Sequence, residues 1–115
     1  MNNEDFKRVR GHPGPILEEL WMEPLGLTCQ QLAEALFIET ELVEKIISGE
    51  QAIDADFALR LSRLLGTSAG IWLRLQQTHD LSKCYLKSKG WKMVERMERP
   101  DEDLATQPMP KLQDH

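Results

Sequence analysis

Cysteine, aromatic side chains and long apolar runs are all scarce in this chain, and each scarcity excludes a class of protein. The only cysteines are Cys29 and Cys84, far apart and outside any CxxC pair, so neither a disulfide framework nor a zinc site is expected. Two free thiols fit a reducing, cytoplasmic setting. His12, His79 and His115 lack metal-ligand spacing, and no metal is expected. No apolar stretch approaches the roughly 20 residues of a membrane span. The opening Met1-Asn2-Asn3-Glu4-Asp5 is too polar and acidic to read as a secretory leader. There is no Gly-rich phosphate loop, no GxSxG, and no carboxylate pair beside a general base. No enzyme activity and no cofactor are therefore expected, and acid pairs such as Glu18-Glu19 read as surface charge.

Positive charge is missing from one half of the chain. Between Gly11 and Leu59 there are ten carboxylates and a single base, Lys45, a net of −9. From Arg60 to Arg99 nine bases face three acids, a net of +6. Such asymmetry points to polyionic partners, here of both signs, unless the two halves neutralise each other in the fold.

What is present reads as helix throughout. The 115 residues suffice for one domain with a modest core. Residues 1–11 are expected to form a flexible basic arm carrying Lys7, Arg8 and Arg10. After the break at Gly11-His12-Pro13-Gly14, Ile16, Leu17, Leu20 and Trp21 follow at helical spacing. This predicts a first helix to about Glu23, stopped by Pro24 and Gly26. Thr28 with Gln31 fits a capping box for a second helix whose stripe is Leu32, Ala33 and Leu36. A tight turn through Phe37 and Ile38 leads to a third helix with Leu42, Val43, Ile46 and Ile47 inward, closed at Ser48-Gly49. Asp54 caps a fourth, with Phe57, Ala58, Leu61, Leu64 and Leu65 inward, ended by Gly66. Ser68 starts a fifth, carrying Ile71, Trp72, Leu75 and Leu81. Residues 82–99 read as a basic, partly helical extension interrupted near Gly90. The proline-bearing tail, 100–115, reads as disordered or as a docking peptide. Trp91 either packs the extension onto the bundle or widens a dimer contact.

Two helices joined by a tight turn, with Leu32-Ala33 in one and Ile46-Ile47-Ser48-Gly49 ending the other, resemble the Xre (Cro-type) helix-turn-helix. His12-Pro13-Gly14, Ala58-Leu59-Arg60-Leu61, Thr67-Ser68, Trp72-Leu73-Arg74-Leu75-Gln76 and Asp80-Leu81 flank it in order. Over residues 12–81 this set is similar to the HigA subgroup, the antidote proteins of plasmid-maintenance modules. The resemblance implies an all-α, five-helix, lambda repressor-like helix-turn-helix bundle with a C-terminal extension. It also implies a homodimeric regulator that represses its own operon by binding a palindromic double-stranded operator. A further implied partner is a small basic ribonuclease toxin, which such proteins silence. Helix two would lie across the DNA backbone and helix three in the major groove. Thr28, Thr40, Glu41, Glu44, Lys45, Ser48 and Gln51 are the candidate DNA-facing residues. Ile71, Trp72 and Leu75 are candidates for the two-fold interface, although Trp21 and Trp72 also fit the core.

Several positions depart from that pattern. The helix-two position that is commonly a phosphate-contacting Gln is Cys29, a poor donor. The turn residue that is often Gly is Phe37, which a positive φ would strain by roughly 1–2 kcal/mol. The usual Ser cap of helix three is Glu39, with Thr40 as an alternative cap. Glu50 and Gln51 stand where Lys or Arg is common. DNA affinity comes largely from cations that release counterions, so a face of Glu39, Glu41, Glu44 and Glu50 with one Lys is expected to bind DNA weakly. The same acids suit a basic partner, and Glu18, Glu19 and Glu23 are the candidate toxin-facing residues. Two alternatives remain open: an interaction module that has lost operator binding, and a stand-alone repressor without a toxin.

Overall fold

A computed structural model describes residues 6–98 of the chain. Five helices stack around one core, and no strand occurs among the described residues. The first, α1, is continuous over residues 13–25, but its middle is widened: α-helical Pro13–Leu17 leads into a π segment, Glu18–Met22, and a last α turn, Glu23–Leu25. There follow α2 (Cys29–Leu36), α3 (Thr40–Ile47), α4 (Ala55–Leu65) and α5 (Ala69–Lys87), then a 3-10 turn, Gly90–Met93.

The predicted caps form. Thr28 Oγ1 accepts from the Gln31 amide while Gln31 Oε1 accepts from the Thr28 amide, a complete capping box. Asp54 accepts from the Phe57 amide and Ser68 from the Gly70 amide. Gly66 ends α4 in the left-handed conformation at φ 76°, which Gly adopts without a Cβ clash.

The core joins Leu17 and Met22 of α1, Leu32, Ala33 and Leu36 of α2, and Val43 and Ile46 of α3. Phe57, Ala58 and Leu61 close it from α4, Ile53 from the loop before it, and Trp72 from α5. Burial on this scale stabilises by roughly 1.5–3 kcal/mol for each large apolar side chain, before the chain entropy is charged against it.

The first helix departs from the sequence reading. It passes through Pro24, which sits in the last turn, and runs to Leu25, past the expected Glu23; the expected stop at Gly26 forms, with φ 68°. Proline lacks an N–H and its ring crowds the carbonyl four residues back. The widened turn meets that constraint, since the Glu23 amide donates to the Glu18 carbonyl, five residues back. The π register also turns the face. Leu17 and Met22, five apart, are buried, whereas Leu20 is 65% exposed and Trp21 only half-buried against the core.

Other expectations change for long-range reasons. Leu64 and Leu81 face solvent instead of the core. The 6–11 part of the predicted arm is docked on α5: Phe6 is buried against Tyr85 with ring centroids 5.8 Å apart. The Arg10 amide donates to Ser82 Oγ at 2.8 Å. No break separates 12–81 from 82–99, because α5 runs unbroken through Ser82 to Lys87. Trp91 packs at a tilt on Tyr85 near the end of α5, centroids 4.8 Å apart, a contact made within the 82–99 extension. The predicted tail, 100–115, lies outside the described residues.

Candidate nucleic-acid interface

The α2–α3 pair is held by three local devices. α2 ends at Phe37, the only described non-glycine residue with positive φ (61°), and its side chain is 88% exposed. The turn therefore takes the left-handed geometry usually given to Gly, and the expected strain on Phe37 is present. Arg60 of α4 holds this turn from behind: Nη1 donates to the Leu36 carbonyl at 2.7 Å and the Phe37 carbonyl at 3.2 Å. Its Nε donates to Asp56 Oδ2 at 2.7 Å. The sequence reading noted Arg60 within a motif but gave it no role. Its i,i+4 spacing from Asp56 was the available signal.

α3 begins at Thr40. Glu39 is its N-cap but makes no side-chain cap bond, and Thr40 is the first helical residue, so the alternative of a Thr40 cap does not occur. Glu41, Glu44, Lys45 and Ser48 fall on the solvent side at helical spacing, with Thr40 half-buried at their N-terminal end. Within this set Lys45 Nζ lies 3.5 Å from Glu41 Oε2. The one cation of the helix is thus shared with a neighbouring carboxylate. Ser48 Oγ donates to the Lys45 carbonyl at 3.0 Å, and the Gln51 amide donates to the same oxygen at 3.1 Å. Thr28 is exposed at the start of α2 with its hydroxyl oxygen held in the capping box.

The start of α2 is electrostatically hostile to phosphate. Burial pushes the Cys29 thiol above its usual range, and the carboxylates of Glu44 and then Glu18 push it further. Glu18 of α1 and Glu44 of α3 therefore both bear on the residue that replaces a phosphate donor. One acid from each predicted set, Glu18 and Glu44, thus acts on the same thiol. Glu19 and Glu23 are exposed on α1.

The two charge halves meet in one ion pair among the described residues, Asp56–Arg60, where the acidic stretch gives way to the basic one within α4. The other described pair, Glu41–Lys45, lies inside the acidic half.

The candidate interface residues of α5 separate. Trp72 is only 2% exposed and its indole N–H donates to Thr67 Oγ1 at 2.7 Å, so it belongs to the core and cannot also face a second copy. Ile71 and Leu75 line a surface groove with Ile16, Arg8, Arg10 and Arg74. Among the described residues no helix is long and apolar enough to cross a membrane.

The sequence matches no family model. It is 41% identical over 70 residues to virulence-associated protein I of Dichelobacter nodosus, covering 61% of this chain and 65% of that one. An addiction module antidote protein of a HigA family from Coxiella burnetii superposes with a TM-score of 0.70 at 38% identity, covering 78% of this chain and 99% of that one. The antitoxin GraA in complex with its operator superposes with a TM-score of 0.75 at 33% identity, covering 85% and 100%.

Proposed function

The chain belongs to the HigA family of helix-turn-helix antidote proteins, and from that membership we propose that it is an operator-binding regulator and antitoxin. In this reading it acts as a homodimer, represses its own operon and neutralises a basic ribonuclease toxin. α2 crosses the DNA backbone while the exposed side of α3 enters the major groove. The observation that carries the proposal is the intact α2–turn–α3 unit, capped at Thr28 and braced at its turn by Arg60. The similarity to GraA, an antitoxin held on its operator, supports it.

The acidic α3 can release few counterions, so most of the cationic contacts must come from elsewhere. Arg8 and Arg10, which line the groove of Ile71 and Leu75, are the proposed source, at the rim of the two-fold contact. Arg10 is two residues from His12, whose ring reaches Gly49 at the end of α3. Lys45 supplies the one cationic contact on α3 itself, once released from Glu41. Ile71 and Leu75, without Trp72, form the proposed two-fold contact.

The test is a titration of the purified protein with the DNA immediately upstream of its coding sequence, against unrelated DNA, at low and near-physiological salt. Preference for the upstream DNA that survives the higher salt supports the operator reading. Binding equal to the control at both salts overturns it.

A second reading is favoured by one observation, the exposed acids of α3 with Lys45, its one cation, 3.5 Å from Glu41 Oε2. There the domain serves as an interaction module for a basic protein and no longer binds an operator. It predicts no DNA preference in the same titration, together with saturable binding of a basic ribonuclease encoded beside it. Charge-reversing Glu18, Glu19 and Glu23 would slow that association.

A further inference from the structure

His12 stands where three elements meet. Its Nδ1 accepts the Gly14 amide proton at 2.9 Å and so caps the start of α1. Its ring stands edge-on to His79 of α5, centroids 5.1 Å apart. On its third side the ring faces the backbone that leaves α3: a Cβ placed on Gly49 would lie 3.7 Å from His12 Cγ, and the Gly49 φ is 85°. Two residues on, Gly14 presses against the carbonyl of Ile46, where a Cβ would collide with the oxygen. The His12-Pro13-Gly14 segment is thus keyed twice into the end of α3.

We infer that His12 is a positioning residue that fixes the C-terminal end of α3, and that protonating it frees this end and weakens DNA binding. The DNA clause rests on the operator reading above; the positioning clause does not.

The cap dictates the chemistry. An Nδ1 that accepts a hydrogen bond has no proton, so His12 is the neutral Nε2–H tautomer in this arrangement. His79 is the reverse: its Nδ1 lies 2.6 Å from the Arg10 carbonyl oxygen and must donate to it. A proton arriving on His12 Nδ1 would face the Gly14 N–H donor. The cap would be lost, and the ring would have to turn, giving up its fit against Gly49.

The surrounding groups bias His12 against that proton. Burial is the largest influence and lowers its pKa below the usual 6.5, and His79 lowers it further. Asp80 and the Gln51 backbone favour the charged ring, and Lys83 opposes it. These titrating and charged neighbours all come from α5, while the α3 side presents backbone. The sign follows. Above pH 6.5 the ring is neutral in both the held and the released arrangement, and the contact is complete. As pH falls below 6.5 the released form takes up the proton first, so the held form loses ground progressively.

Amide hydrogen exchange on the full-length protein from pH 7.5 to 5.5, expressed as protection relative to intrinsic rates, tests this directly. The probes are Gly49, Glu50 and Gln51, whose amides donate to Ile46 and Lys45 carbonyls. Protection there is expected to drop several-fold on acidification, while Ala58 and Leu61 of α4 keep theirs. In His12→Asn, which retains a capping acceptor but does not titrate, the drop should vanish. Protection at 49–51 that ignores pH, falls in step with α4, or falls equally in His12→Asn overturns the inference. Should His12→Asn fail to fold, the wild-type contrast between 49–51 and α4 still decides. The upstream DNA is then titrated over the same pH range. Loss of affinity in the wild type alone supports the DNA clause, and equal loss in both proteins overturns it. An absence of DNA preference even at pH 7.5 sinks the operator reading and the DNA clause with it, and leaves the exchange result to judge His12.

Discussion

Arg60 Nη1 donates to the carbonyl oxygen of Leu36 at 2.7 Å, tying α4 to the last residue of α2. The next residue, Phe37, has φ 61° and projects into solvent. The turn between α2 and α3 is thus braced from outside by a guanidinium and strained within by a Cβ.

Relieving the strain should stabilise the domain. In Phe37→Gly the left-handed penalty of roughly 1–2 kcal/mol disappears, partly offset by the greater freedom of Gly in the unfolded chain. Little apolar burial is lost, so a net gain of about 1 kcal/mol is expected. Urea denaturation reads it as a raised midpoint at unchanged slope. A lowered midpoint would mean that the Phe37 ring packs on something in solution.

Removing the brace should do the opposite. Arg60→Ala orphans two carbonyls at the end of α2 and is expected to destabilise by about 1.5 kcal/mol. Asp56→Asn breaks only an exposed i,i+4 pair and should cost about 0.5 kcal/mol or less. Equal losses in the two variants would show that the ion pair matters and the carbonyl contacts do not. Arg60→Lys should not restore stability fully, because a single ammonium cannot hold the forked geometry.

Gly14→Ala tests the fit of α1 against α3. A methyl group would meet the Ile46 carbonyl oxygen, part of the backbone. One of the two helices must move, at a cost of about 1–3 kcal/mol. Thermal unfolding checks this. A variant as stable as the wild type would place the two helices farther apart than described.

Much of this fold was legible in local sequence. The capping box at Thr28, the caps at Asp54 and Ser68, and the glycine stops at Gly49 and Gly66 each depend on neighbours within a few residues, and all formed. What escaped depends on distant partners or on register. Pro24 made the first helix look finished, whereas a π turn lets the chain pass through it and moves burial from Leu20 to Met22. Phe6 and Arg10 looked like a free arm because their partners on α5, Tyr85 and Ser82, lie more than 70 residues away. Gln76 has no assigned place in the sequence beyond its motif; it is buried, with Oε1 accepting from the Ile53 amide at 2.8 Å, a partner 23 residues away. On α3, helical spacing placed Glu41, Glu44, Lys45 and Ser48 on one exposed side, where the structure has them. It could not reveal that Glu18, from another helix, acts on the same thiol as Glu44.

That convergence has its own chemical readout in Cys29. Burial raises its pKa first, then Glu44 and Glu18. Thiolate is the reactive species, so alkylation by iodoacetamide at pH 8 should be slower than for an ordinary cysteine. In a Cys84→Ser background, Glu44→Gln should accelerate it, and Glu18→Gln should do so to a smaller degree. Rates unchanged by both substitutions would mean that the two carboxylates do not converge at the start of α2.

The central claim is that α3 reads DNA despite its acidity and that its charge sets the affinity. Binding of the upstream DNA and of unrelated DNA, measured over a salt series for the wild type, Lys45→Ala and Glu44→Lys, tests it most directly. Lys45→Ala should markedly weaken the specific complex. Glu44→Lys should strengthen non-specific binding and steepen its salt dependence by about one unit of logarithmic slope. Affinities and slopes indifferent to both substitutions would contradict the account, because α3 would then not be the element that meets DNA.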